Sequence, residues 1–157
     1  MSDEKALRMI DVSGKETTRR TATATASVKM KPEVFELLLE GKLPKGDALQ
    51  VARVAAILAA KEAPRLIPMC HTIPVEHVDI DFHPAPPDTV RIVTTVTATA
   101  KTGAEMEALV AVSAAGLAIY DMCKAIDRGM TIEAVRLESK SGGKSGEWMR
   151  PTAPAGS

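Results

Sequence analysis

From Ala108 to Tyr120 the chain carries no charged residue, and this run sits inside KTGAEMEALVAVSAAGLAIYDMCK, Lys101 to Lys124. The pattern predicts a helix. Gly103 breaks the chain ahead of it, and Glu105 and Glu107 occupy a first turn where the positive end of the helix dipole favours acids. Lys124 lies at the end that favours cations. The alanine-rich middle has high helix propensity. At 100° per residue, Met106, Leu109, Val110, Ser113, Leu117 and Tyr120 form one stripe. Ala108, Val112, Ala115, Ile119, Met122 and Ile126 form another, roughly opposite. A helix apolar on both sides must be covered on both sides. The run is too short for the roughly 20 residues of a membrane span. One side is therefore expected on the chain's own sheet and the other on a second subunit, with Ala111, Ala114, Ala115, Gly116 and Ala118 small enough to admit a close neighbour.

Asp121 and Lys124 lie three apart on one face of this helix. They read either as a helical ion pair or as a proton-transfer pair, because charges ending a buried helix are costly unless used. Lys124 is the residue expected to have a pKa depressed toward neutrality by burial. Glu107 lies about 21 Å along the axis from Asp121 at 1.5 Å per residue. If both serve one site, either a long ligand spans them or two subunits supply them.

The whole chain narrows the classes further. With 157 residues and 45% hydrophobic content it reads as one globular domain with a real core. Zero formal net charge removes a global electrostatic case for nucleic acid or membrane. Aromatics are 3% of the chain (Phe35, Phe82, Tyr120, Trp148), too few for base-stacking platforms. Cys70 and Cys123 form no CxxC and read as small buried hydrophobes. The N-terminus shows no apolar signal-peptide core, so the expectation is a cytoplasmic protein.

In chain order, residues 1–18 read as a flexible polar segment and 19–149 as the domain. Thr21 to Met30 alternates with period two, as a strand does. Pro32 opens a short helix stopped by Gly41. After the link GKLPKGD, Asp47 caps a second helix that ends before Pro64, with Val51, Val54, Ala55 and Leu58 as its core side. LIPMCHTIP, between Pro68 and Pro74, is stiff and outside any ladder. Val75 to His83 alternates as a strand, HPAPPD turns, and Thr89 to Ala100 is a second β-rich stretch. The long helix and a last strand, Met130 to Ser139, complete β-α-α-β-β-α-β. That is the ferredoxin-like α+β plan with one extra helix, an antiparallel sheet with helices on one face. PTAPAGS reads as a disordered tail from residue 150.

Several groupings could carry chemistry. KSGGKSG, Lys140 to Gly146, is either a flexible exit loop or an anion-binding loop with Lys140 and Lys144. It is not a phosphate loop of the GxxxxGK[ST] kind, since residue 138 is Glu. Lys45 adds a basic link. His71 reads either as structural or as a general acid/base or phosphate donor. His77, Asp79, Asp81 and His83 read as the solvated face of an amphipathic strand, and no metal-ligand spacing is strong.

Together MIDVSGKE, KGDALQVAR, LIPMCH, KTGAEMEAL, AIYDMCKA and VRLESKSGGKSG resemble the MoaC family of molybdenum-cofactor biosynthesis, in order, from Met9 to about Glu147. The chain reads MCHTI where the family commonly has LCHPL. The resemblance implies a lyase-type rearrangement of 3′,8-cyclised dihydro-GTP to cyclic pyranopterin monophosphate and diphosphate. It implies a homohexamer, a trimer of dimers, with sites at subunit interfaces. By the same resemblance Asp121 and Lys124 are the catalytic acid/base pair, with Lys45 and His71 assisting. Met69, Cys70 and His71 form one substrate-binding segment and Met106 and Glu107 the other, Glu107 holding purine or pterin N–H donors. Glu105, about 160° away around the helix, serves another contact. Lys45, Lys140 and Lys144 neutralise the triphosphate. No tightly bound cofactor or metal is implied, though Mg²⁺ could accompany the triphosphate. The alternative class is a non-catalytic nucleotide-binding or assembly module on the same fold.

Overall fold

The alternation TATATASVK becomes the centre of the sheet. The computed structural model describes residues 6–152; of the expected N-terminal segment (1–18) and tail (150–157), only positions 1–5 and 153–157 lie outside the described residues. β1 (Thr18–Lys29) has β3 (Thr89–Ala100) on one side and β4 (Thr131–Ser141) on the other. β2 (Val75–Ala85) forms one edge and the two-residue β5 (Trp148–Met149) the other. All pairings are antiparallel. With α1 (Pro32–Leu39), α2 (Ala48–Leu66) and α3 (Glu105–Cys123), this is the expected ferredoxin-like order with an additional edge strand.

Period-two alternation decides which face is covered. Ala22, Ala24, Ala26 and Val28 of β1 stand across from Val96, Thr94, Ile92 and Val90 of β3, and all are buried. Val78, Ile80 and Phe82 of β2 continue that face, while His77, Asp79, Asp81 and His83 stand exposed on the other. Thr94, the polar member of the covered β1–β3 rows, donates its hydroxyl to Ala108 O of α3 at 2.8 Å. α3 packs on β1, β3 and β4, and α2 packs mainly on α3.

α2 begins as expected, with Asp47 Oδ1 accepting from the N–H groups of Leu49 and Gln50 at 3.1 and 3.2 Å. It does not stop before Pro64. The helix runs to Leu66 with Pro64 inside it, and Ile67 N–H closes the last turn on Ala63 O at 3.0 Å. A proline this near the end removes one ladder bond and leaves the buried Ala60 and Ala63 contacts intact. The expected core side is also overturned. Ala48, Ala52, Ala56, Ala59, Ala60 and Ala63 are buried, whereas Val51, Val54 and Leu58 are 43, 56 and 58% exposed. Alanines let α2 approach the alanine-rich α3 closely, and the larger side chains are displaced outward.

α3 buries the expected Ala108, Val112, Ala115, Ile119 and Met122, and with them Glu107, Ala111 and Gly116. Ala111, Ala115 and Gly116, expected to admit a second subunit, are instead packed inside this chain. Ile126 is not part of the inner stripe, because the helix ends at Cys123 and Ile126 is 38% exposed beyond the turn. By length and composition α3 could cross a membrane, yet half of it is buried inside the domain, as in a core helix. Gly116 permits the approach of β4, since a Cβ there would lie 3.0 Å from Ile132 Cγ2.

β4 runs further than expected, through Lys140 and Ser141, and its pairing with β1 shifts register twice. Ile132, Leu137 and Lys140 pair with Val28, Ala24 and Ala22, all on the covered face. A regular strand cannot hold positions 132, 137 and 140 on one face. The irregularity around Ala134, at φ 54°, and the one at Glu138 each reset the alternation. The second turns Lys140 toward the helices.

Candidate active site

α2 and α3 run antiparallel, so the link before α2 meets the end of α3, and the segment after α2 meets its beginning. Charged and polar groups converge at both places.

At the C-terminal end, Asp121 lies between two ammonium groups. Lys124 Nζ is 2.6 Å from Oδ1, and Lys45 Nζ is 3.4 Å from Oδ2 while also donating to Asp121 O at 3.1 Å. Lys124 and then Lys45 hold the Asp121 carboxyl below the usual carboxylate range. Both lysines come from chain segments that the fold fixes: Lys124 caps α3 through its N–H to Tyr120 O, and Lys45 precedes the capped start of α2. The expected burial of Lys124 is absent in the single chain, where its side chain is half exposed and ion-paired. The arrangement can hold an ionised carboxylate beside a proton donor and still face a ligand.

At the N-terminal end, Glu107 is 1% exposed. Its Oε1 accepts the Cys70 thiol at 3.7 Å, and its Oε2 is buried without a partner among the described residues. Burial raises the Glu107 carboxyl above its ordinary range. Burial and then Glu107 push the Cys70 thiol up to about 11. Cys70 is thus half-buried and a hydrogen-bond donor, not the inert buried hydrophobe expected; Cys123 does fit that description. Glu105, expected to bind substrate, pairs with Lys140 Nζ at 2.7 Å. Its carboxylate folds over Gly103, where a Cβ would lie 2.1 Å from Oε2. His71 Nε2 meets Ile10 O at 2.6 Å.

The remaining expected residues disperse. Met69 is 41% exposed. Met106 lines an apolar groove of about 360 Å³ with Leu66, Leu109 and Leu117. Lys144 borders a separate cavity of about 280 Å³ with Lys15, Thr18 and Arg20. Lys45 and Lys140, both assigned to the triphosphate, stand at opposite ends of α3.

The glycine loop is fastened to β1. Cβ atoms on Gly142 and Gly143 would lie 2.1 Å from Arg19 O and 2.0 Å from the Arg20 guanidinium. Arg20 and Lys101 are the basic residues missed in the sequence. Arg20 reaches Ala100 O, Gly142 O and Lys101 O at 3.3, 3.3 and 3.1 Å, tying three strand ends together. Lys101 Nζ donates to Ser13 O at 3.2 Å. The available signal was position, since Lys101 directly precedes the helix carrying Glu105 and Glu107.

A sequence model of the MoaC family matches residues 9–143. The chain is 56% identical over 144 residues to a cyclic pyranopterin monophosphate synthase of Pelotomaculum thermopropionicum, covering 91% of this chain and 85% of that one. Identity is again 56% over 142 residues with the synthase of Desulforamulus reducens, covering 90 and 87%. With cyclic pyranopterin monophosphate synthase 3 of Mycobacterium tuberculosis it is 46% over 153 residues, covering 98 and 86%.

Proposed function

The chain belongs to the MoaC family, and from that premise we propose how its two polar clusters act as a cyclic pyranopterin monophosphate synthase. The enzyme is a lyase of molybdenum-cofactor biosynthesis acting on a small molecule, 3′,8-cyclised dihydro-GTP. It opens the base, rebuilds it as a pterin, and closes the cyclic phosphate with loss of diphosphate. The observation that carries the reading is Asp121 held ionised between Lys124 and Lys45. In it Asp121 accepts and returns protons, Lys124 exchanges them with the substrate, and Lys45 stabilises charge that develops on phosphate oxygens. A binding module has use for lysines but little for a carboxylate pinned between two of them.

Glu107, whose Oε2 has no partner among the described residues, takes an N–H edge of the base, and Cys70 and His71 reach the substrate from the adjoining segment. Met69 and Met106 offer apolar contacts from outside that cluster, Lys140 and Lys144 meet phosphate, and Glu105 holds Lys140 until it does. A Mg²⁺ would accompany the triphosphate. The two clusters lie about 21 Å apart on one helix, and the outward face of α2 and α3 is apolar, with Val54, Leu58 and Leu117 each more than half exposed. A second copy of the chain seated on that face would bring one cluster from each subunit together, within a trimer of dimers. The proposed compartment is the cytoplasm.

The test is diphosphate release from enzymatically prepared cyclised dihydro-GTP. Asp121→Asn and Lys124→Ala should each lower turnover by about a hundredfold or more, the range of a lost acid/base, while keeping substrate affinity. No release from folded wild-type protein would sink the enzyme reading. Equal loss of affinity and turnover would favour a binding module.

A further inference from the structure

The segment that precedes β1 lies across the loop carrying His71. A turn shapes it, with Ser13 N–H on Asp11 Oδ1 at 2.8 Å and Lys15 N–H on Val12 O at 3.0 Å. Its hydrogen bonds with His71 and Lys101 are made by backbone carbonyls. Ile10 O meets His71 Nε2 at 2.6 Å, and Ser13 O receives Lys101 Nζ at 3.2 Å. Ile10's own side chain points away and is 73% exposed. Met9 and Val12 form walls of a cavity of about 330 Å³ that His71, Ile73 and Lys101 also line. The Ser13 hydrogen bonds chiefly hold the Asp11 carboxyl below the ordinary carboxylate range.

A carbonyl oxygen can only accept, so the imidazole nitrogen facing it must carry hydrogen. Which nitrogen of a neutral histidine holds the proton is decided by such a partner. We propose that Met9 to Ser13 form a strap that positions His71, fixing the Nε2–H tautomer through Ile10 O and leaving Nδ1 to face the substrate. Lys101 is the strap's second fastening, through Ser13 O. This rests on the synthase reading in one respect, that His71 serves the substrate; the tautomer itself does not depend on it.

The experiment uses the full chain with Met9→Asp/Val12→Asp, which places charge in the cavity wall and lifts the strap. Lys101→Met is the second variant should the first fail to fold by circular dichroism. The readouts are imidazole ¹⁵N NMR, with His71 identified by its loss in His71→Gln, and kcat and KM for cyclised dihydro-GTP. The expected result is one Nε2–H tautomer in the wild type, a tautomer mixture in the variant, and kcat/KM lower by about tenfold, the worth of one positioning hydrogen bond. A wild-type ring already in a mixture, or a variant with unchanged tautomer, overturns the proposal whatever its activity. A variant with mixed tautomers and wild-type kcat/KM overturns the positioning role. Wild-type protein that does not turn over the substrate counts against the synthase reading, and the NMR result still decides the strap.

Discussion

Glu107 and Asp121 show how environment gives two carboxylates of one helix opposite characters. Asp121 is exposed, yet two ammonium groups keep it ionised. Glu107 is buried against a thiol, and burial favours its neutral form. The sign for stability follows. In the unfolded chain Glu107 titrates in the ordinary carboxylate range, whereas the fold holds its proton to higher pH. The folded state therefore binds more protons, and stability falls as pH rises through the raised value. Glu107→Gln removes that charge, so the variant should gain on wild type by about 1 kcal/mol at neutral pH. The difference should vanish below about pH 4, near the ordinary carboxylate pKa. Urea melts of the two proteins between pH 3.5 and 7.5 check this, and parallel curves would mean that the fold leaves the Glu107 carboxyl at its ordinary value. The residue types at both clusters were legible in KTGAEMEAL and YDMCKA. The Ile10 carbonyl contact was not, because a backbone acceptor leaves no mark on residue identity.

At the scale of elements, strands were legible where one face is covered and the other wet, because alternation then has one meaning. Helices apolar on two sides lose that clarity. In α2 the larger residues Val51, Val54 and Leu58 suggest the core, yet the neighbour across the buried side is the alanine-rich α3, and close helix approach selects the alanines. β4 was obscure for a different reason. Its register shifts move Ile132, Leu137 and Lys140 onto one face against simple alternation, and only the pairing with β1 reveals them. The inner side of α3 is tight where it meets this strand. Gly116→Val would drive branched carbons into Ile132, which already stands 3.0 Å from an ideal Cβ. Such overpacking costs about 1–3 kcal/mol. Thermal or denaturant unfolding should show that loss, and Ile132→Ala should recover part of it when combined with Gly116→Val. Additive losses in the double variant would indicate that α3 and β4 do not press on each other there.

At the scale of the whole molecule, the helix pair keeps Lys45, Asp121 and Lys124 at one end and Cys70, Glu107 and Lys140 at the other. A twofold assembly across the apolar face of α2 and α3 would place Asp121 of one subunit with Glu107 of the next. That arrangement makes a quantitative prediction. Asp121→Asn and Glu107→Gln chains should each be nearly inactive alone. In a randomly mixed dimer of the two, one site carries both lesions and the other carries neither. Equal co-expression makes half of the dimers mixed, so about a quarter of wild-type turnover should return, as isologous symmetry requires. Activity is to be measured on the co-purified mixture, with two different affinity tags to confirm co-assembly; in a trimer of dimers nearly every particle carries both tags, so the figure stays at about a quarter. If mixing restores nothing while both chains co-assemble, each site is built within one chain and a long ligand must bridge the two ends of α3. The outward Val54, Leu58 and Leu117 would then have to be covered for a reason separate from catalysis.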